Sequence, residues 1–449
     1  MRRLTVQKCW RGVICLIISS LISSINANEN FYIVLENRCQ ADISINIKQH
    51  ADHVSKYKRY TVGTLSSKTI GMFEAEPYHL WIRIHKHWRQ LHLQPHHRYI
   101  GADWLSVIGV ALQPKSYVSW HWWNPFPSFT LLFCPEAIDL DNNKLFDSVD
   151  KVLFLGDSLS DKGTLHKFTL GSLPKSPPYY NGAFSNGRPW TVRLAEDLQM
   201  HDIAAENYAV GGASARWHLW HGLPYSFDFE IDTYLFNNEP SIRNRHIAFV
   251  LVGANDYPMQ QYTDKQIKEI TIETINIINA GLDRLLRAGV TRFVILGLPD
   301  LGLTPKARQL HITQSMSAVT KEHNRQLVSM IERYRAQHAT SDYQFHHIDI
   351  FDMLSELVSD QSQINARYGL AIENLMEPCW NGNYSTYSTE SVINGGVTVA
   401  TTEICAYPEH HLFWDEMHPT QTAHDLLYRY IREKLGIKAH TTRDEIEVC

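Results

Sequence analysis

The apolar run Val152-Leu153-Phe154-Leu155 stops at Gly156, and Asp157, Ser158, Leu159, Ser160 and Asp161 follow it. A short unbroken apolar run closed by a turn residue reads as a strand buried on both faces. Such strands belong to sheets flanked by helices, in which ligands bind beyond the carboxyl ends of the strands. The run therefore puts Ser158 on the rim where loops carry chemistry. A lone serine hydroxyl is a weak nucleophile and needs a base. Far along the chain, Asp415 stands three residues before His418 in Trp414-Asp415-Glu416-Met417-His418-Pro419. At that spacing the carboxylate can orient the imidazole, which then takes the proton of the serine.

The same rhythm continues after Lys151. Strand candidates at Val152 to Leu155, Tyr208 to Val210, Ile247 to Val252, Arg292 to Leu296 and Tyr343 to Ile348 are separated by longer segments. One segment carries Ile267, Ile270, Ile275, Ile278, Leu282, Leu285 and Leu286 on one side of a helix, which Gly289 ends. A second helix fits Ile312 to Tyr334. Alternating strands and helices predict a parallel sheet covered on both faces. Residues 28–135 differ. Ile43, Ile45 and Ile47 alternate with polar residues, and short aromatic and branched runs follow, separated by turn residues. That pattern predicts a smaller all-β, sandwich-like domain. The polar stretch 136–150 reads as a linker, and 151–449 as the α/β domain.

Three further blocks fall in a telling order: Asn207-Tyr208-Ala209-Val210-Gly211-Gly212-Ala213, then Gly253-Ala254-Asn255-Asp256, then Asp415 with His418. With Gly156-Asp157-Ser158-Leu159 before them, from about Lys151 to Gly436, the chain resembles the GDSL (SGNH) esterase/lipase family. The wider wording, with Phe184-Ser185-Asn186-Gly187-Arg188-Pro189-Trp190, is similar to bacterial secreted phospholipases of the thermolabile haemolysin and glycerophospholipid:cholesterol acyltransferase type. The resemblance implies a flavodoxin-like three-layer α/β/α domain. It also implies phospholipase A and lysophospholipase activity through an acyl-serine intermediate, with acyl transfer to a sterol open as a second outcome. Substrates would be phospholipids or other acyl esters at a membrane surface, and no metal or organic cofactor is needed.

In this reading Ser158 is the nucleophile, His418 the base and later the acid, and Asp415 the residue that holds the ring. The developing oxyanion needs donors already facing it. The candidates are the backbone N–H of Ser158, the N–H of Gly212 and the side-chain amide of Asn255. Ser158 also suits a helix N-cap, a role compatible with the first. Asp157 is expected to hold the turn, and Asp161 to sit in a first helical turn. Trp217, Trp220, Tyr225, Phe227 and Phe229 fit either an acyl-chain wall or ordinary core. His410 and His411 read as loop residues, and His85 and His87 as strand histidines.

Residues 1–27 have the form of a secretory signal, with Arg2, Arg3, Lys8 and Arg11 before a short apolar stretch ending near Ala27. An extracellular or periplasmic destination is expected. Its removal takes away four positive charges, so the formal charge goes from −5 to −9. No basic stripe suggests nucleic acid. Cys39, Cys134, Cys379, Cys405 and Cys449 remain, and in an exported chain they read as bridges rather than metal ligands. Cys379 with Cys405 closes a loop in the α/β region, expected to border the site entrance, and Cys39 with Cys134 would tie the β-rich region. Two other functions stay open from sequence. One is a carbohydrate esterase whose β-rich region binds glycans through Trp88, Trp104, Trp120, Trp122 or Trp123. The other is a surface adhesin with secondary esterase activity.

Overall fold

The computed structural model describes 137–140, 142–199, 201–216, 225–339, 342–382 and 403–440, together with eight strands between residues 31 and 133. The signal segment, the Cys39–Cys134 pairing, Cys449, Trp217 and Trp220 lie outside the described residues. So do His85, the remaining tryptophans of the glycan reading except the strand residue Trp88, and 383–402 of the cysteine-closed loop. The chain divides into two units, 1–137 with 440–449, and 138–439.

In the first unit the eight strands form two four-stranded sheets. One has the order Ser67–Phe73, Phe31–Asn37, Pro127–Phe133, Val110–Ser116, and the other Lys58–Val62, Ile43–Lys48, His79–Ile84, His87–His92. Neighbours are antiparallel except Phe31–Asn37 against Pro127–Phe133.

The second unit is built on five parallel strands: β1 (Lys151–Gly156), β2 (Ala204–Asn207), β3 (His246–Leu251), β4 (Arg292–Leu296) and β5 (Gln344–Ile348). They lie in the doubly wound order 2-1-3-4-5. Period-two alternation sends β1 side chains to opposite faces. Val152 and Phe154 join one apolar cluster, while Leu153 and Leu155 join another. The helices divide accordingly. The first face packs α2 (Trp190–Gln199), α7 (Ile350–Ser359) and α9 (Gln421–Lys434). The second packs α3 (Phe227–Asn237), α4 (Asp264–Arg287) and α6 (Thr313–Gln337). The other α-helices among the described residues are α1 (Thr164–Phe168), α5 (Pro305–Gln309) and α8 (Gln361–Tyr368).

Local chemistry sets the limits of α4. Thr263 and Gln266 form a reciprocal capping box, and Gly289 (φ 105°) lies just beyond the last turn. Its buried stripe is Ile267, Ile275, Ile278, Leu282 and Leu285, while Ile270 and Leu286 are only half-buried. Two expectations shift. The second strand ends at Asn207, so Tyr208 to Val210 form the loop beyond it. The expected linker is not free of the α/β unit, because Ile138, Leu145 and Phe146 are buried in its core.

Candidate active site

β1 delivers Ser158 at its carboxyl end. Gly156 must be glycine: a Cβ there would lie 2.1 Å from the carbonyl oxygen of Leu251 on neighbouring β3. Its N–H donates to Glu230 Oε2 of α3 at 2.7 Å, and burial keeps the Glu230 carboxyl well above its ordinary pKa. Beyond the glycine the chain makes a turn. Asp157 Oδ1 accepts from the N–H of Leu159 at 3.0 Å, and the Asp157 carbonyl accepts from the N–H groups of Ser160 and Asp161. Burial, only partly offset by the Leu159 N–H, raises the Asp157 carboxyl to about 7.

Asp161, expected in a first helical turn, instead lies before α1 and supplies the helix-start acceptor that Ser158 could alternatively have offered. Its carboxylate accepts from the N–H groups of Gly163, Thr164 and Leu165 at the start of α1, and from Gly211 at 2.8 Å. A two-oxygen carboxylate can serve both a helix start and a second loop, which a serine hydroxyl cannot.

Ser158 Oγ lies 3.0 Å from His418 Nε2, and His418 Nδ1 lies 2.8 Å from Asp415 Oδ2. Asp415 is fully buried. Its other oxygen accepts from the N–H groups of Met417 (2.7 Å) and His418 (2.6 Å). The Tyr179 hydroxyl donates to Oδ2. Burial alone would raise this carboxyl, but the His418 imidazole, the Tyr179 hydroxyl and the Met417 N–H together hold it below its ordinary pKa. An ionised carboxylate only accepts, so Nδ1 carries the imidazole proton and Nε2 is left to accept from the Ser158 hydroxyl.

The block from Phe184 to Trp190 fixes the histidine turn. The Phe184 ring lies 4.8 Å from the His418 ring. Ser185 Oγ donates to the Pro419 carbonyl at 2.9 Å, and Asn186 Oδ1 accepts from the N–H of Gln421, the first residue of α9, at 2.7 Å. Trp190 is buried in the core.

The candidate donors come from neighbouring loops. Gly212 has φ 82°, a conformation suited to a residue without Cβ. Among the described residues, no acceptor takes the N–H of Ser158 or of Gly212. Asn255 uses Nδ2 to donate to the Ala213 carbonyl at 2.8 Å. Asp256 accepts from the N–H groups of Ala215 (2.7 Å) and Arg216 (3.0 Å). Asn255 and Asp256 thereby bind the loop after β3 to the loop after β2.

Beside Ser158 and His418 opens a cavity of about 290 Å³ that Asn255 also lines. Its walls are mainly apolar: Met259, Leu301, Met353, Leu354, Leu412 and Leu427. Tyr225 and Phe227 are buried elsewhere as ordinary core, and Phe229 is partly exposed. The apolar wall thus comes from α7, α9, the 299–304 segment, the loop after β3 with Met259, and Leu412. Their periodicity marks them as core-facing without showing what space they enclose.

Cys379 and Cys405 are joined as a disulfide. The Cys379 N–H donates to the Phe413 carbonyl at 3.0 Å, and the Trp380 N–H to the Trp414 carbonyl at 2.8 Å, immediately before Asp415. His410 pairs with Glu373, and His411 Nδ1 lies 3.5 Å from Cys405 Sγ. One grouping of possible metal ligands occurs among the described residues, Cys379, Cys405 and His411, and its two sulfurs are bonded to each other.

The GDSL-like Lipase/Acylhydrolase family matches residues 152–431. The chain belongs to that family. It is 28% identical over 311 residues to a phosphatidylcholine-sterol acyltransferase of Aeromonas hydrophila, covering 62% of this chain and 87% of that one. It is 27% identical over 294 residues to a thermolabile hemolysin of Vibrio parahaemolyticus, covering 64% and 63%. A secreted effector protein of Salmonella typhimurium is 26% identical over 283 residues, covering 62% and 61%. The chain therefore spans under two thirds of the length of the last two. Among solved structures, an acetylxylan esterase of Geobacillus stearothermophilus superposes with a TM-score of 0.31 at 12% identity, covering 64% and 95%. Family membership makes this GDSL lipase-type chain an ester hydrolase.

Proposed function

We propose that this GDSL-family chain is an exported serine hydrolase of lipid acyl esters that works through an acyl-serine intermediate. The observation that carries this reading is the hydrogen-bonded series Ser158, His418, Asp415 opening onto an apolar cavity. His418 Nε2 takes the proton of Ser158 as Oγ attacks the ester carbonyl. The oxyanion faces the N–H groups of Ser158 and Gly212 and the amide of Asn255. His418 then protonates the leaving alcohol, which departs and leaves the acyl group on Oγ. Water attacks next and gives its proton to Nε2, which returns it to Oγ as the Oγ–acyl bond breaks and the acid is released. Asp415 stabilises the imidazolium in both halves.

The apolar wall favours a fatty acyl chain over an acetyl group, since burying methylenes is worth about 0.8 kcal/mol each. Any hydroxyl that reaches the acyl-enzyme replaces water, so transfer to a sterol belongs to the same chemistry. The relatives named for phosphatidylcholine-sterol acyl transfer and for haemolysis support a phospholipid substrate at a membrane surface. The basic, then apolar amino-terminal 27 residues support export, and residues 28–135 form the separate β-rich domain of this reading.

Product analysis tests it. Incubation with phosphatidylcholine, with and without cholesterol, and with an acetylated polysaccharide should give fatty acid and, with sterol, some steryl ester. Release of acetate alone would replace this reading with a carbohydrate esterase.

A further inference from the structure

The cavity beside Ser158 has one side chain that a plain hydrocarbon does not explain. His424, the fourth residue of α9, lines it among Leu426, Leu427, Met353 and Leu354. It is 1% exposed, and neither ring nitrogen has a hydrogen-bond partner. The other four buried histidines among the described residues each have a bonded ring nitrogen. His166 meets the Pro174 carbonyl, His246 the Tyr234 hydroxyl, His323 the Tyr257 hydroxyl, and His418 both Asp415 and Ser158. Buried polar groups in folded proteins are nearly always bonded, because leaving one unpaired costs its full desolvation. An apolar residue would line a fatty-chain pocket without that cost.

Burial, and secondarily the nearby His418, push the His424 imidazole down to about 3. It is therefore neutral, with one N–H to give and one bare nitrogen to accept. A hydroxyl suits either nitrogen, accepting from the N–H or donating to the bare one. A carboxylate or phosphate does not, since a neutral ring in an apolar wall offers no charge to offset its burial.

We propose that His424 is the hydrogen-bonding anchor for a hydroxyl on the acyl chain, so that the esters this cavity holds best carry a hydroxylated acyl group. The proposal rests on the acyl-ester reading above and narrows its substrate class. Asp157 Oδ2 is another cavity-lining polar atom without a partner, but it adjoins the nucleophile rather than the chain-holding wall.

The test is binding to the Ser158→Ala protein, which keeps the cavity without the nucleophile. It is titrated with matched medium-chain esters, one plain and the others bearing a hydroxyl at successive carbons. For at least one position the hydroxylated ester should bind about tenfold more tightly than the plain one. In Ser158→Ala/His424→Phe that preference should vanish while the plain ester binds as well or better. Ser158→Ala/His424→Gln, which still hydrogen-bonds, should keep part of it, and thermal melting of all three reports folding. Equal affinities at every position, or a preference that survives His424→Phe, overturn the proposal. So does equal loss of both ligands in both variants. Continued hydrolysis by Ser158→Ala would instead overturn the acyl-serine reading, and the binding ratios would still decide the role of His424.

Discussion

The Tyr179 hydroxyl and His418 Nδ1 meet the same oxygen, Oδ2 of Asp415, while the other oxygen is taken by two backbone N–H groups. The carboxylate is therefore fixed from both sides, and the imidazole can turn only about the axis that keeps Nε2 on Ser158.

Removing the Tyr179 hydroxyl leaves that oxygen with one partner. Tyr179→Phe should lower kcat by about tenfold to a hundredfold, the worth of a hydrogen bond to a charged group, with KM little changed. Its acid limb should move to higher pH, because a donor that favours ionised Asp415 is gone. Steady-state kinetics on a soluble ester across pH checks both.

Asn255→Ala should cost about 10²- to 10³-fold in kcat, as for other single oxyanion donors. The same change frees the Ala213 carbonyl, so a modest fall in melting temperature should accompany it. Asn255→Asp, which lacks the amide donor, should be as inactive as the alanine variant in the same assay.

Asp157 makes stability depend on pH in a defined direction. Its folded pKa, raised to about 7 by burial, lies above the ordinary 3.8. Stability from the neutral form is fully present below about pH 4 and is lost as pH rises to about 7, a change of a few kcal/mol. Asp157→Asn keeps an acceptor for the Leu159 N–H without the charge. Denaturant unfolding should find it more stable than wild type at pH 8, and the two close together near pH 4.

The bond between Cys379 and Cys405 closes a loop with a sequence separation of 26. Replacing both by serine should cost about 3.5 kcal/mol on the loop-entropy estimate. Trp380 meets Tyr179 edge-to-face with ring centres 5.3 Å apart, and its N–H donates to the Trp414 carbonyl, so activity should fall along with stability. Differential scanning calorimetry and ester turnover, each beside reduced wild type, should show the same two losses.

Ser158, Asp415 and His418 were legible in the sequence because each lies in a short local pattern: a strand ending in glycine, and a carboxylate three residues before a histidine. Four of the five strands and both long helices were legible for the same reason, since periodicity is local, whereas the second strand, Ala204–Asn207, carries no apolar run and was expected too late in the chain. Tyr179 carried no such signal. It follows two prolines, 236 residues before Asp415, and only the packing of Trp380 and Phe184 brings it there. The cavity was hidden likewise, because Met353, Leu354 and Leu427 show the ordinary apolar pattern of core-facing helices. The place of Asp161, expected inside the first turn of α1 but found before it, was hidden for a different reason. Ser158 and Asp161 are both good caps, and only the tertiary approach of Gly211 selects the carboxylate.

The most direct test of the central claim is intact-protein mass spectrometry after brief acid quenching during turnover of a phosphatidylcholine or p-nitrophenyl ester. The account predicts an acyl mass on the wild-type chain that peptide mapping places on Ser158, and the loss of both that mass and product release in Ser158→Ala. Undiminished fatty acid release by Ser158→Ala, or an acyl group mapped to another residue, would contradict it.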